Sequence, residues 1–348
     1  MEVFCITVFS VELLAAILMQ FAKRRLPKTN GSSPIEAISF IIPFHNEQER
    51  ILPLIESINA SQFTGKCEFI FVDDYSTDET VNLITKHLKV PFTCISNQND
   101  RGKKRAIKTG VVNAQYEFIV TWDADIKFKL DYIQNLFELA MADLVVLPVN
   151  MQSEILAGKL ACIEFTFIET FNLGFSAFGK PIVCNGANLG FRKSAFLELN
   201  ATRTDYNIPS GDDLFLLQAM LKHQKSVAVY KSGLFSVSTS APTSFSAVIR
   251  QRQRWKGKIG SIISFASSLP LLLNVLMLFA TIFTVMLGIY NPVCFLLFGL
   301  KFIAEIIAAW SFIKRDKTHV LVLVIYQVWY PIYAILLSFN FGKEKRWS

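Results

Sequence analysis

The stretch Glu117-Phe118-Ile119-Val120-Thr121-Trp122-Asp123-Ala124-Asp125 decides how this chain reads. Its apolar run has the length and the β-branched and aromatic content of a buried strand, and it closes on two carboxylates one residue apart. Carboxylates set this way at a strand end can address one hard divalent cation. Mg²⁺ or Mn²⁺ so held keeps waters and completes its shell with substrate phosphates. Asp-x-Asp alone is a common loop cap, so its neighbours along the chain carry the weight.

Working outward, short apolar runs alternate with helical patterns. Ile38–Ile42, Glu68–Val72, Phe92–Ile95, Phe118–Trp122 and Leu144–Val149 read as strands. Helices are expected from Glu47 to Ala60, Thr77 to Leu88, Lys103 to Ala114 and Asp131 to Met141. This alternation predicts an α/β fold with a doubly wound, mostly parallel sheet. Ligands of such sheets sit beyond the carboxyl ends of the strands. Pro43 to Glu47, Asp73-Asp74 and Asp123 to Asp125 all fall at those ends, which lifts the aspartates above coincidence. Further on, Lys159–Phe178 reads as an aromatic-rich helix, Cys184-Asn185-Gly186-Ala187-Asn188 as a tight loop, and Leu214–Lys222 as a helix after Gly211-Asp212-Asp213.

The 348 residues are 52% hydrophobic and 18% charged. Soluble proteins average about 25% charged, so part of the chain is expected in lipid. Val3–Ala22, broken only by Glu12, has spanning length and reads as a retained anchor, with no small-residue cleavage site after it. Pro270–Tyr290, Val293–Ile313 and Val320–Phe339 are three further candidate spans; Lys301 and Glu305 in the middle one can pair across one helical turn. Lys23-Arg24-Arg25 after the first span predicts a cytoplasmic body at a plasma (inner) membrane. Four spans would leave the basic tail Lys343–Arg346 outside, and Pro331 makes the last span a candidate re-entrant segment. The six cysteines lack zinc-like or CxxC spacing. The net charge of +7 gathers beside the spans and in Arg101–Lys108, matching an anionic leaflet and an anionic substrate. Nothing resembles a nucleic-acid groove.

Acceptor oxygens on Asp73 and Asp74 can take a uracil imide or ribose hydroxyls, while Ser76 or Thr77 is expected to cap the following helix. Gly102-Lys103, opening a helix, can offer N–H groups and an ammonium to a diphosphate.

Taken in order, Ile41-Ile42-Pro43-Phe44-His45-Asn46-Glu47, Val72-Asp73-Asp74-Tyr75-Ser76-Thr77-Asp78, Gly102-Lys103 with Ala106 and Gly110, and Asp123-Ala124-Asp125 resemble the nucleotide-binding half of the family 2 glycosyltransferases, whose domain is called GT-A. Gly211-Asp212-Asp213 resembles the general-base motif of membrane synthases. Gln251-Arg252-Gln253-Arg254-Trp255 fits the Gln-x-x-Arg-Trp signature of cellulose, chitin and hyaluronan synthases and of ceramide glucosyltransferases. The resemblance runs from Ser39 to Trp255.

It implies an inverting, metal-dependent transferase that moves a sugar from a nucleotide diphosphate sugar, a UDP-sugar in the first instance, to a lipid, lipid-linked or growing glycan acceptor. Pro43, His45 and Glu47 would line the nucleoside pocket and Asp73 or Asp74 would bind the uridine. Lys103 would approach the base or diphosphate, and Asp123 and Asp125 would hold Mg²⁺ or Mn²⁺ and the donor. Asp213, beside Asp212, would be the base. Gln251, Arg254 and Trp255 would serve the pyrophosphate and the acceptor channel. The expected organisation is an anchor over 1–25, a linker over 26–37, a nucleotide-sugar-binding half over 38–150, an acceptor half over 151–258, an interfacial helix over 259–269 and a transmembrane region over 270–348. Few spans and an atypical Cys184–Asn188 loop favour single transfer over the alternative of a processive polysaccharide synthase. A catalytically silent nucleotide-binding scaffold is the competing class, and the presence of Asp123, Asp125 and Asp213 argues against it. A transporter would rest on Lys301 and Glu305 alone.

Overall fold

The computed structural model describes residues 1–26, 35–97, 101–201, 203, 205–208, 211–231, 233–259 and 265–339. The expected linker lies largely outside these residues, as do the core of the expected interfacial segment and the basic tail. The chain folds into two compact units. One takes Met1–Leu26, Gln152–Ile182 and the described residues of 241–339; the other takes residues 35–151 and the described residues of 183–240.

The chain opens with helix α1 (Glu2–Ala22) of the first unit and enters the second at β1 (Ala37–Phe44). There α2 (Leu52–Ala60), β2 (Lys66–Asp73), α3 (Thr80–His87), β3 (Thr93–Ser96), α4 (Lys103–Asn113) and β4 (Phe118–Trp122) follow in strict alternation. β1 and β4 are buried on both faces apart from Ala37, as central parallel strands must be, so their sequences show no polar alternation. Pro43 is tolerated in β1 because β4 pairs only with Ile38–Ile41, leaving no ladder partner to miss its N–H. Gly110 lets α4 close on the sheet: a Cβ there would stand 2.5 Å from Ile41 Cγ2.

Next come β5 (Ile126–Lys127), the short helix α5 (Tyr132–Leu136), β6 (Leu144–Val146) and β7 (Val149–Gln152). The expected helix to Met141 stops early, and the Ala140 N–H turns to the Tyr230 hydroxyl instead. The expected strand Leu144–Val149 is two strands, divided at Leu147-Pro148. Pro148 cannot donate to a ladder, and its carbonyl accepts from Asn188. After α6 (Leu156–Ser176) of the first unit, the second unit is completed by β8 (Asn188–Arg192), α7 (Lys193–Asn200), α8 (Asp212–Lys222), β9 (Val227–Val229) and β10 (Val237–Ser240).

The main sheet runs β3-β2-β1-β4-β8-β6-β9, and β5-β10-β7 form a smaller one. β8 lies antiparallel to both β4 and β6, while the other pairings of the main sheet are parallel. The doubly wound, mostly parallel sheet is therefore present.

In the first unit, α9 (Phe245–Ile259), α10 (Phe265–Tyr290), α11 (Leu297–Ala308), α12 (Trp310–Ile313) and α13 (His319–Phe339) follow. Cys5 and Phe9 of α1 are fully buried beside Ala280 of α10. Lys301 pairs with Glu305 as its spacing predicts, and Gln327 of α13 hydrogen-bonds to both. The expected middle span Val293–Ile313 is not one helix. It divides into a 3₁₀ turn over Pro292–Leu296, entered through the Asn291 side chain, then α11 and α12. Among the described residues, Glu2–Arg25 is the one helix long and apolar enough to cross a membrane; the apolar stretches Val275–Tyr290 and His319–Ala334 are shorter.

Candidate active site

Parallel register aligns Phe44 with Asp73 and Ile41 with Thr121, so the polar residues after β1, β2 and β4 emerge at one edge of the sheet. A rigid aromatic floor supports that edge. Trp122 stacks on Phe40 with centroids 4.1 Å apart and donates its indole N–H to Tyr132, whose hydroxyl donates to Asn188 at 2.5 Å. Asp123 therefore begins from a fixed backbone.

The loops after β1 and β2 are sewn together. The Asn46, Glu47 and Gln48 N–H groups donate to Ser76, Thr80 and Asp78, and Thr77 N–H donates back to Asn46. Ser76 thus ties loop to loop and does not cap α3. The Thr80 N–H is met by Asp78 instead. His45 sits in this loop, half-buried, with its ring 3.4 Å from the Asn46 amide, and Pro43 is buried in β1.

The paired aspartates after β2 have different work. Asp74 is buried, and its carboxylate accepts from Asn97 at 2.6 Å and from the Gly102 N–H at 2.9 Å. Gly102, with φ of 138°, turns the chain into α4, so Asp74 fixes the start of that helix. Asp73 is half-buried at the strand end, and its carboxylate accepts from the Ser76 N–H at 2.8 Å.

Lys103, the first residue of α4, stands between two carboxylate groups from distant stretches of chain. Its Nζ lies 2.5 Å from Asp123 Oδ1 and 3.8 Å from Asp212 Oδ2. Burial pulls its pKa down, but Asp123 and Asp212 more than reverse this and hold it above the ordinary lysine range. Asp125 is raised above the usual carboxylate range by burial and by repulsion from Asp123, opposed by Arg50. Glu47 is pushed up to about 7 by burial, with Arg50 offsetting part of the effect. Arg50, which sequence reasoning passed over, grips Glu47 at 2.8 Å and comes within 3.9 Å of Asp125. Its position three residues after Glu47 was the available signal.

Asp212 and Asp213 open α8 behind Gly211, where the helix N-terminus favours negative charge. Asp213 is aimed by two backbone donors, Gly186 N–H at 3.2 Å on Oδ2 and Leu214 N–H at 2.8 Å on Oδ1. The Cys184–Asn188 loop presses against this pair: a Cβ on Gly186 would stand 2.9 Å from Asp212 Oδ2.

Behind the aspartates, Asp205 binds Arg203 through two hydrogen bonds of 2.9 and 2.8 Å and Lys104 at 2.7 Å, all three side chains being buried. This network was not legible in sequence, since Lys104 is indistinguishable there from Lys103.

Gln251, Arg254 and Trp255 lie on α9, in the first unit. Arg252 is the anchored member of that segment. It is buried, bonded to Glu164 at 2.8 Å and to the Gln251 side chain at 2.7 Å, and stacked 4.0 Å from the Trp255 ring. Arg254 is exposed.

Among the described residues no three His, Cys, Asp or Glu side chains form a ready-made metal cage. The donor set nonetheless fits a Mg²⁺-like ion, which takes one or two carboxylates plus substrate phosphates. The mutual repulsion that raises Asp125 is what such a cation would relieve.

Residues 39–199 match the model of Glycosyl transferase family 2. An undecaprenyl-phosphate 4-deoxy-4-formamido-L-arabinose transferase of Serratia proteamaculans is 33% identical over 113 residues, 31% of this chain and 34% of the relative. A poly-beta-1,6-N-acetyl-D-glucosamine synthase of Staphylococcus aureus is 26% identical over 194 residues, 54% of this chain and 47% of the relative. The chain thus spans about half the length of these curated relatives or less. A mannosyltransferase from Pyrobaculum calidifontis, solved with GDP-Man and Mn²⁺, matches with a TM-score of 0.62 at 17% identity, covering 94% of this chain and 99% of its own. That likeness speaks to the fold alone.

Proposed function

We propose, from the premise that residues 39–199 are a glycosyl transferase family 2 domain, that this protein is an inverting glycosyltransferase. It would move one sugar from a nucleotide diphosphate sugar, in the first instance a UDP-sugar, to a lipid or lipid-linked acceptor at a membrane. The observation that carries the reading is the single ammonium of Lys103 shared by Asp123 at a strand end and Asp212 at the head of α8. Carboxylates of two kinds, one set suited to a donor and the other to an acceptor, meet there in one cluster.

In the proposed reaction the acceptor oxygen attacks the anomeric carbon from the face opposite the diphosphate. The anomeric C–O bond breaks, the nucleoside diphosphate leaves with the electron pair, and the configuration inverts. Asp213, oriented by Gly186 and Leu214, takes the acceptor proton, a contribution of about 10²–10⁴-fold for a placed general base. Lys103 lies where it can meet charge growing on the leaving diphosphate, and Asp73 is the better placed of its pair to receive a nucleoside, because Asp74 is committed to Gly102 and Asn97. Asp123 and Asp125 would hold Mg²⁺ or Mn²⁺, which when bound supplies Lewis-acid neutralisation of the diphosphate. Gln251, Arg254 and Trp255 are assigned to the diphosphate and acceptor by their sequence motif alone. The apolar helix Glu2–Arg25 and the basic Lys23-Arg24-Arg25 after it support membrane attachment with the catalytic unit on the cytoplasmic side. The likeness to a polymer synthase favours a second reading, repeated transfer onto a growing glycan.

The test uses the full chain purified in detergent, a panel of UDP- and GDP-sugars, and nucleotide release measured with and without EDTA. Transfer is expected to need the divalent cation. Asp213→Asn should abolish transfer and leave nucleotide binding largely intact; full turnover by that variant would remove Asp213 from the mechanism. Product length by mass spectrometry separates single transfer from polymerisation.

A further inference from the structure

We infer that Lys103 and Arg50 are resident counter-cations of the strand-end carboxylates, so that a divalent cation competes with side-chain charge and binds tightly only together with a nucleoside diphosphate. This rests on the metal reading proposed above and adds an order to it. Each carboxylate of Asp123-Ala124-Asp125 is faced by a cation from a different element. Lys103 Nζ is 2.5 Å from Asp123, and Arg50 Nη1 is 3.9 Å from Asp125. Both cations have a second carboxylate to hold. Lys103 reaches Asp212 at 3.8 Å and Arg50 bonds Glu47 at 2.8 Å, so neither need leave the cluster when it loses its first partner.

The electrostatics then run one way. A monocation about 5 Å from a divalent ion repels it enough, even at the dielectric of water, to weaken binding about tenfold. A diphosphate brings new negative charge, draws the two side chains toward itself and offers the ion further oxygens. Nucleotide and cation therefore strengthen each other's binding, and by linkage the gain is the same in either direction. Lys103, nearer its carboxylate and mostly buried, has the larger effect; Arg50, whose side chain is 53% exposed, has the smaller.

The experiment measures Mn²⁺ binding by calorimetry or by the EPR signal of free Mn²⁺, without turnover, on the full chain alone and with UDP or GDP. Wild type should bind Mn²⁺ weakly by itself and at least about tenfold more tightly with a nucleotide. Lys103→Met should tighten binding of Mn²⁺ alone by about tenfold and shrink the gain from nucleotide. Arg50→Gln should act in the same direction by a smaller factor, and its exposed side chain makes it the variant least exposed to folding failure. Asp125→Asn separates the two ideas. If it removes Mn²⁺ binding while Lys103→Met and Arg50→Gln leave the affinity for Mn²⁺ alone unchanged or weaker, the counter-cation inference is overturned and the metal reading stands. If Asp125→Asn binds Mn²⁺ as wild type does, the ion lies elsewhere and both are overturned.

Discussion

Replacing Asp205 with Asn probes the network behind the aspartates, and its cost can be worked from the structure. Burial alone would raise the pKa of this carboxyl, but the hydrogen bonds and charges of Arg203 and Lys104 hold it at about 2 against 3.8. At about 1.4 kcal/mol per unit this is at most roughly 2.5 kcal/mol of stability at neutral pH, and burial, which lowers the Lys104 pKa despite Asp205, offsets part of it. The Asn variant also leaves the buried Arg203 and Lys104 without their counter-ion, and breaking one side of a buried pair costs about 3–5 kcal/mol. A loss of about 3 kcal/mol is expected, which for a unit of this size lowers the melting temperature by about 6–12 °C. Because the folded pKa is depressed, the contribution is complete above about pH 4 and is lost as the pH falls through 2. Thermal unfolding of wild type and Asp205→Asn at pH 7 and across pH 2–5 reads both effects, with the exposed Asp131→Asn as a control expected within about 0.5 kcal/mol. A variant melting within about 2 °C of wild type, or keeping the wild-type dependence between pH 4 and 2, would refute the reasoning.

Three further outcomes follow from the geometry. Gly186→Ala forces its new methyl against Asp212, so the transfer rate should fall by about tenfold or more while nucleotide affinity, by fluorescence or calorimetric titration, changes little. Asn188→Leu strips the donor from the Pro148 and Phe235 carbonyls, both at 2.9 Å, and the acceptor from Tyr132. It should cost about 3 kcal/mol or more, read as a lower urea midpoint with an unchanged slope. Arg252→Met frees Glu164 and the face of Trp255; it should destabilise the chain in detergent, with Arg252→Lys recovering only part of the loss because an ammonium cannot reproduce the flat, stacked fork.

The central strands and the carboxylates at their ends are legible in the sequence itself. Phe118–Trp122 has the observed bounds, and β1 and β2 extend the expected strands by a residue or two at either end, because a strand buried on both faces announces itself by an unbroken apolar run. The helices between them follow from a 3.6-residue apolar period, although the first begins at Leu52 and not at the expected Glu47, because Ser76, Thr80 and Asp78 hold the Asn46, Glu47 and Gln48 N–H groups in the loop; carboxylates immediately after a strand can only emerge at its carboxyl edge. All of this is written in neighbours along the chain. β8 is not: Asn188-Leu-Gly-Phe-Arg192 is short, carries a glycine and resembles a loop, and it becomes a strand because β4 and β6 supply ladders on both sides. Nor does local pattern distinguish Asp73 from Asp74, Lys103 from Lys104 or Arg252 from Arg254. In each pair the two residues have the same chemistry one or two positions apart, and the side on which each projects assigns one to the fold and leaves the other facing elsewhere. The break of Val293–Ile313 into separate helical pieces belongs to the same class. Composition along a chain determines what a segment can bury, whereas which partner meets it, and therefore which charge is held by which, is decided only when stretches tens to hundreds of residues apart come together.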